Sequence, residues 1–411
     1  MSTRALRPNH RLTLLKGGEA LFPALAEAIM NARVEVLLET YIFEFSRSVL
    51  PVAQALAHAA ERGVKVCVIV DGVGTGDVPV EWRQRWDDSG VQWRVFNPAR
   101  GWRLLMPKGW RRLHRKLCVV DGSVGFCGGI NLLDDYFDPN HGALSQPRFD
   151  FAVRVVGPLV ADMHATMLRL WARQQITREA RQLDVAGAFE AVLDAARAGT
   201  DMNEEGIKAT LDEPSTQGGS LATLVLRDNL RYRRSIEGNY RLAIGLAKRE
   251  ILIANAYFIP GVQLQRALLR AAQRGVRITL LLQGRYEYFM AHHASRAVYS
   301  AMLGAGIEII EYEASFLHAK VAVMDAEGGA LAIVGSSNLD PLSLLLAREA
   351  NVFVRDDAFA GELRALLTDA IAKGRRVEPD DPTRWPLVVR CRNWLAYAVM
   401  RALLFVTGKR Y

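Results

Sequence analysis

The 411 residues are more than one ordinary core accommodates and enough for two domains that each bury a sizeable core. Half of them are apolar and 23% are charged, which excludes wholesale disorder. The 52 Lys plus Arg outnumber the 44 Asp plus Glu to give +8, a balance that favours nucleic acid or an anionic lipid surface as partner without choosing between them.

The chain opens MSTRALRPNHRLTLLKGGEALF, with scattered charges and no continuous apolar h-region, so no signal peptide is expected and the protein is expected to stay in the cytosol. Cys67, Cys118, Cys127 and Cys391 form no CxxC pair or Cys/His cluster. That argues against structural zinc and a disulfide framework, and for a reducing compartment. No apolar run reaches the roughly 18 to 20 residues needed to cross a bilayer, so any membrane contact is expected to be peripheral.

Internal repetition organises the rest. ARVEVLLETYIFEF (32–45) returns as AKREILIANAYFIP (247–260), both read as buried strands, with Tyr41 and Phe43 set approximately against Tyr257 and Phe258. Each is followed by a helical pattern and a second strand, QALAHAAERGVKVCVIVDG (54–72) and RALLRAAQRGVRITLLLQG (266–284). The helices end at Arg62-Gly63 and Arg274-Gly275, where glycine supplies a left-handed C-cap. Val64–Val70 and Val276–Leu282 are nearly continuous apolar runs, as in parallel strands covered on both faces, so each half begins as a βαβ unit.

A further strand in each half carries one chemical pattern, RRLHRKLCVVDG and then SFLHAKVAVMDAEGG, and a return strand ends VGFCGGIN or LAIVGSSN. Shared α/β composition does not produce the same pattern at the same place in the same succession of elements. Residues 172 to about 219 are rich in Ala and charged residues and finish in EPSTQGGS, which reads as a linker with a boundary near 215. The expected division is a first domain over 1–214, including that linker, a second over 215–375, and a basic amphipathic tail over 376–411.

On a strand, residues two apart share a face, so His114 with Lys116, and His318 with Lys320, each present an imidazole beside an ammonium that together suit one phosphate. Asp121 and Asp325 follow their histidines by seven positions, an odd interval that reaches the turn, and Gly122 marks a tight reversal. Strand geometry therefore gives both carboxylates a structural role. Gly128-Gly129-Ile130-Asn131 and Gly335-Ser336-Ser337-Asn338 let backbone approach a ligand, and the Asn131 and Asn338 amides can donate to phosphate oxygens, with Ser336 in support.

Two ammonium groups and two amides around one phosphorus can stabilise developing negative charge without a metal, so no metal and no other cofactor is expected. Neutral imidazole can attack phosphorus to form a covalent intermediate, and a second histidine can protonate the departing alkoxide and later deprotonate the incoming alcohol or water. The residues themselves do not say which histidine does which. Asp150 in RFDFAV and Glu349 in REANVFV, each at the start of a strand that could pair beside a motif, are the candidates for holding the imidazoles.

HRKLCVVD with GGIN, and HAKVAVMD with GSSN continuing as SSNLDPLSLLLAREAN, resemble the paired HxKxxxxD motifs of the phospholipase D superfamily, and in particular its bacterial cardiolipin synthases lacking N-terminal membrane spans, over roughly residues 10–375. The resemblance implies an α/β fold of two pseudo-symmetric phospholipase D-type domains, each a mixed β-sheet flanked by helices, with the active site at their interface. It implies a catalytic set of His114, Lys116, Asp121, His318, Lys320 and Asp325, with His114 as nucleophile and His318 as acid and base. It further implies phosphatidyl transfer to the hydroxyl of phosphatidylglycerol at the cytoplasmic face of a bacterial inner membrane. The partners implied are phosphatidylglycerol, other phospholipids and an anionic membrane surface, and no nucleic acid.

Two segments read as membrane contacts. RWPLVVRCRNWLAYAVMRALLFVTGKRY (384–411) mixes Trp385, Trp394 and Tyr397 with Arg390, Arg392, Arg401, Lys409 and Arg410, as an interfacial helix does, although a helix packed on the core would also carry basic caps. FNPARGWRLLMPKGWRRLHRK (96–116) interleaves Trp102, Leu104, Leu105, Met106 and Trp110 with cations and could admit lipid tails. It would equally suit single-stranded nucleic acid, which keeps a nuclease open beside a phospholipid hydrolase of the same mechanism. A non-catalytic basic module that binds anionic membrane is the reading from another class, but binding alone does not require histidine at both sites.

Overall fold

The computed structural model describes residues 6–45, 47–98, 107–139, 141–181, 219–228, 232, 234–285, 289–326, 329–340 and 347–378. In chain order these form β1 (Arg7–Lys16), α1 (Gly17–Met30), β2 (Glu35–Thr40), α2 (Leu50–Glu61), β3 (Lys65–Asp71), α3 (Val80–Ser89), β4 (Gln92–Phe96), β5 (Arg112–Leu113), β6 (Lys116–Val120), β7 (Val124–Gly128), β8 (Phe137–Asp138), β9 (Gly142–Ala143), β10 (Phe151–Val156), α4 (Leu159–Arg181) and β11 (Ser220–Arg227). They continue with α5 (Ser235–Leu246), β12 (Glu250–Asn255), α6 (Val262–Gln273), β13 (Arg277–Gln283), α7 (Phe289–Gly304), β14 (Glu308–Tyr312), β15 (Lys320–Ala326), β16 (Gly329–Gly335), β17 (Ala347–Arg355), α8 (Asp357–Ala372) and β18 (Arg375–Arg376).

The chain divides into two compact units. One holds Ala5–Asp134 and Ala152–Leu224, and the other takes Asp135–Phe151 together with Val225 onward. In the first, the sheet runs β4-β3-β2-β6-β7-β10, with β2, β3 and β4 parallel and β2, β6, β7 and β10 antiparallel. In the second, β14-β13-β12-β15-β16-β17 repeats that order and those directions. Each is the mixed, helix-flanked α/β sheet expected.

The repeat extends to register. Glu35 pairs with Lys65 as Glu250 does with Arg277, and Asp71 pairs with Phe96 as Gln283 does with Tyr312. Because Val36 faces Val120 and Ile251 faces Met324, Phe43 matches Phe258, while Tyr41 matches Ala256 rather than Tyr257, one position from the approximate alignment. Gly63 and Gly275 cap α2 and α6 at φ +87° and +84°, in the left-handed region that favours glycine. The arginine before each cap donates back to α1 or α5: Arg62 to the Ile29 and Ala32 carbonyls, Arg274 to those of Ile244 and Ala247.

In the first unit, Leu56 of α2 and Trp86 of α3, both fully buried, join the residues of α1 in covering one sheet face, and the Trp86 ring lies 5.4 Å from that of Phe43. Leu170 of α4 packs with Ile69, Phe96 and Leu113 in a separate cluster, as sheets with parallel strands require. α4 runs to Arg181, so the linker expected from residue 172 begins as helix, its Ala, Gln and Arg being good helix formers. Residues 182–218 of that linker and 379–411 of the tail lie outside the described residues, as do Trp102, Leu104, Leu105 and Met106. Among the described residues no helix is long and apolar enough to cross a membrane.

Candidate active site

Lys116 and Lys320 each open the strand that carries their motif, and both are buried. Each ammonium turns back on its own motif: Lys116 Nζ donates to the His114 carbonyl at 2.7 Å, and Lys320 Nζ donates to that of His318. An ammonium has three donors, and this bond fixes one of them. In the first unit a ring completes the wall. Tyr41 lies 5.0 Å from His114 between centroids and 5.5 Å beneath Lys116 Nζ.

Asn131 and Asn338 follow the return strands on segments locked to the chain beyond β2 and β12. Leu132 N donates to the Ile42 carbonyl and Glu44 N to that of Leu132, while Ile259 N donates to the Leu339 carbonyl and Leu339 N to Asn255 Oδ1. In both asparagines Oδ1 is buried without a hydrogen-bond partner among the described residues, so neither amide is satisfied by the protein alone. Gly335 makes the second of these loops possible, since a Cβ there would stand 2.3 Å from Asn351 Oδ1 and 2.6 Å from its Cα. Ser336 donates to the Glu349 carboxylate and accepts from Ala350 N.

Asp121 and Asp325 sit at the other end of β6 and β15, roughly 15 Å along the strand from the lysines. Asp121 accepts from the amides of Arg33, Val34 and Glu35, and Asp325 from those of Arg249 and Glu250, which tie the motif strand to the start of β2 or β12. Burial alone would raise the Asp325 carboxyl, but these amides outweigh it and hold it below the ordinary carboxylate range. These bonds make both aspartates backbone anchors, as the odd interval suggested.

Asp150 is found on the later histidine rather than the earlier one: Asp150 Oδ2 lies 2.6 Å from His318 Nδ1, while Oδ1 accepts from Phe151 N. Phe149 and Leu317 form a bridge in which His318 N donates to the Phe149 carbonyl and Phe149 N to that of Phe316. A carboxylate at Nδ1 assigns the proton to that nitrogen and leaves Nε2 for chemistry. The segment supplying Asp150 also carries the β8–β9 hairpin, where Asp138 binds His141 and Arg148 and the His141 ring lies 5.0 Å from Phe316.

Sequence reasoning passed over Arg115. Lying between the histidine and the lysine, it points to the opposite face and forms a buried ion pair with Glu39, Nη2 to Oε1 at 2.9 Å, with a further bond to the Thr166 carbonyl at 3.5 Å. The equivalent positions of the second half are Ala319 and Ala254, both buried. The joint exchange of Arg and Glu for two alanines was visible in the repeat, but only once its register was known.

A His–Lys–Asn group thus recurs at the ends of matched strands in both halves, each lysine bonded to the carbonyl of its own histidine. The cardiolipin synthase, phospholipase D-like domain profile matches residues 25–146 and again 240–370, and the chain belongs to that family. It is 34% identical over 376 residues to cardiolipin synthase B of Shigella flexneri and of Escherichia coli K12, covering 89% of this chain and 81% of each relative. Among solved structures, phosphatidylserine synthase of Haemophilus influenzae superposes with a TM-score of 0.62 at 11% identity over 97% of this chain and 96% of that one. Polyphosphate kinase of Porphyromonas gingivalis does so with 0.53 at 14% over 96% and 52%, and both likenesses concern the fold.

Proposed function

We propose that the chain is a cardiolipin synthase that moves a phosphatidyl group from one phospholipid to the free hydroxyl of phosphatidylglycerol. His114 Nε2 attacks phosphorus and the P–O bond to the head-group breaks, His318 giving its proton to the departing alkoxide. His318 then takes the proton of the acceptor hydroxyl, whose oxygen attacks phosphorus and breaks the P–N bond. With a phosphatidylglycerol donor the first product is glycerol. Lys116, Lys320, Asn131 and Asn338 stabilise the charge on the phosphoryl oxygens, and Asp150 keeps the His318 tautomer. The mechanism requires both motifs to act on one phosphorus.

The observation that carries this reading is the repetition of the His–Lys–Asn group, lysine bond included, beside a match to cardiolipin synthase B over most of the chain. The net charge of +8 favours work at the surface of an anionic membrane, here the cytoplasmic face of a bacterial inner membrane. The test is to incubate the purified chain with phosphatidylglycerol vesicles and separate the lipids, with His114→Ala and His318→Ala in parallel. Cardiolipin plus glycerol, lost in both variants, is the expected result. Phosphatidic acid alone would make it a hydrolase, and unchanged product in either variant would remove the two-histidine mechanism.

A further inference from the structure

The residue before each motif histidine is tethered from a different strand. Leu113, fully buried at the end of β5, donates its amide to Asp71 Oδ2 at 2.8 Å. Leu317, buried to the same degree, donates its amide to Gln283 Oε1 at 3.0 Å. Asp71 and Gln283 are the last residues of β3 and β13 and hold the same register position, so the two bonds are one feature written twice with different chemistry.

We propose that Asp71 and Gln283 are positioning residues of the two histidines, each fixing the peptide that precedes the imidazole and so the direction in which it leaves the strand. The physical reason lies in the backbone. A buried Leu side chain and a bonded amide leave residue 113 or 317 almost no rotational freedom, and the next Cα carries the histidine. Displacement of a reacting group by about 1 Å can cost a factor of roughly 100 in rate, so a tether one residue away has catalytic leverage.

The two tethers are unequal. Asp71 is fully buried, and its Oδ1 accepts from Val73 N at 2.9 Å and Gly74 N at 3.2 Å, with Arg112 Nη1 4.0 Å away. That turn also holds the other wall of His114. A Cβ on Gly74 would stand 2.4 Å from the Tyr41 carbonyl oxygen, Thr75 Oγ1 donates to the same carbonyl at 3.1 Å, and Tyr41 packs against the imidazole. Gln283 offers its one bond to Leu317, and its buried Nε2 has no partner among the described residues. The several-fold anchor thus stands behind the histidine that, on the function proposed above, carries the covalent intermediate, and the single bond behind the acid and base.

The test compares Asp71→Asn, Gln283→Glu and Gln283→Leu in the full chain on phosphatidylglycerol vesicles. Asparagine keeps one oxygen for Val73 and Gly74 but turns a donor toward Leu113 N–H. Turnover should fall at least about tenfold with KM within about twofold, and the alkali-stable phosphohistidine trapped by rapid quench should form more slowly in the same proportion. Gln283→Glu keeps the acceptor and should stay within about threefold of wild type, whereas Gln283→Leu should lose about tenfold. Amide exchange in peptides containing Leu113 or Leu317 should quicken only in the variant that cuts the tether in question. Unchanged exchange, turnover within twofold of wild type in Asp71→Asn, or a loss confined to KM would overturn the proposal. If wild type makes no cardiolipin, the functional reading fails while the exchange measurement still decides the tether.

Discussion

Removing Arg115 alone should cost the fold more than removing Arg115 and Glu39 together. The two side chains are only 4% and 1% exposed, so Arg115→Ala leaves a carboxylate in the interior with no cation. Breaking such a pair from one side costs about 3–5 kcal/mol, because the stranded charge has lost its water as well as its partner. Deleting Glu39 as well leaves mainly lost volume, about 1–2 kcal/mol, and reproduces the Ala319 and Ala254 arrangement of the second half. Urea unfolding, read at unchanged m, should therefore find the double variant about 2–3 kcal/mol more stable than Arg115→Ala. If the double variant is at least as unstable as Arg115→Ala, the comparison between halves is wrong.

Asp150→Asn should lower turnover about 100-fold with little change in KM, since the His318 tautomer would no longer be fixed; steady-state kinetics on phosphatidylglycerol vesicles checks this. Asp325 is depressed in the fold, so it contributes stability above its unfolded pKa and loses it as pH falls through the lower folded value. Asp325→Asn should accordingly unfold at a lower temperature at neutral pH, with the gap to wild type closing below about pH 4 in a thermal scan series. Burial pushes the Cys67 thiol up to about 11 and that of Cys118 up to about 12, so neither should react with iodoacetamide at pH 8 until urea is added, as peptide mapping would show. Gly335→Ala should destabilise by about 1–3 kcal/mol by forcing Asn351 aside, measured as a shift in urea midpoint.

Much of the fold was legible because the repeat fixes it twice. The apolar runs before Asp71 and Gln283, the glycine after Arg62 and Arg274, and the motif strands each imply the same element in both halves, and agreement between halves removes ambiguity that either would carry alone. The anchoring role of Asp121 followed from counting positions on a strand. The partner of Asp150 did not, because nothing local in RFDFAV says which histidine the chain will meet. The Arg115–Glu39 pair was hidden for a related reason, as a basic residue between His114 and Lys116 looks like another phosphate ligand until β2 is laid beside β6.

The membership of residues 135–151 bears on how this chain can be cut and rebuilt. A designer who splits it between the two repeats, at the start of α5 for instance, obtains a C-terminal fragment holding His318 and Lys320 but not the carboxylate that orients the imidazole. The same fragment lacks the β8–β9 hairpin and the edge that bridges Leu317. A split that respects the physics has to carry that stretch along, grafted or supplied as a peptide. Gene halves and working halves differ here by one short exchange of chain.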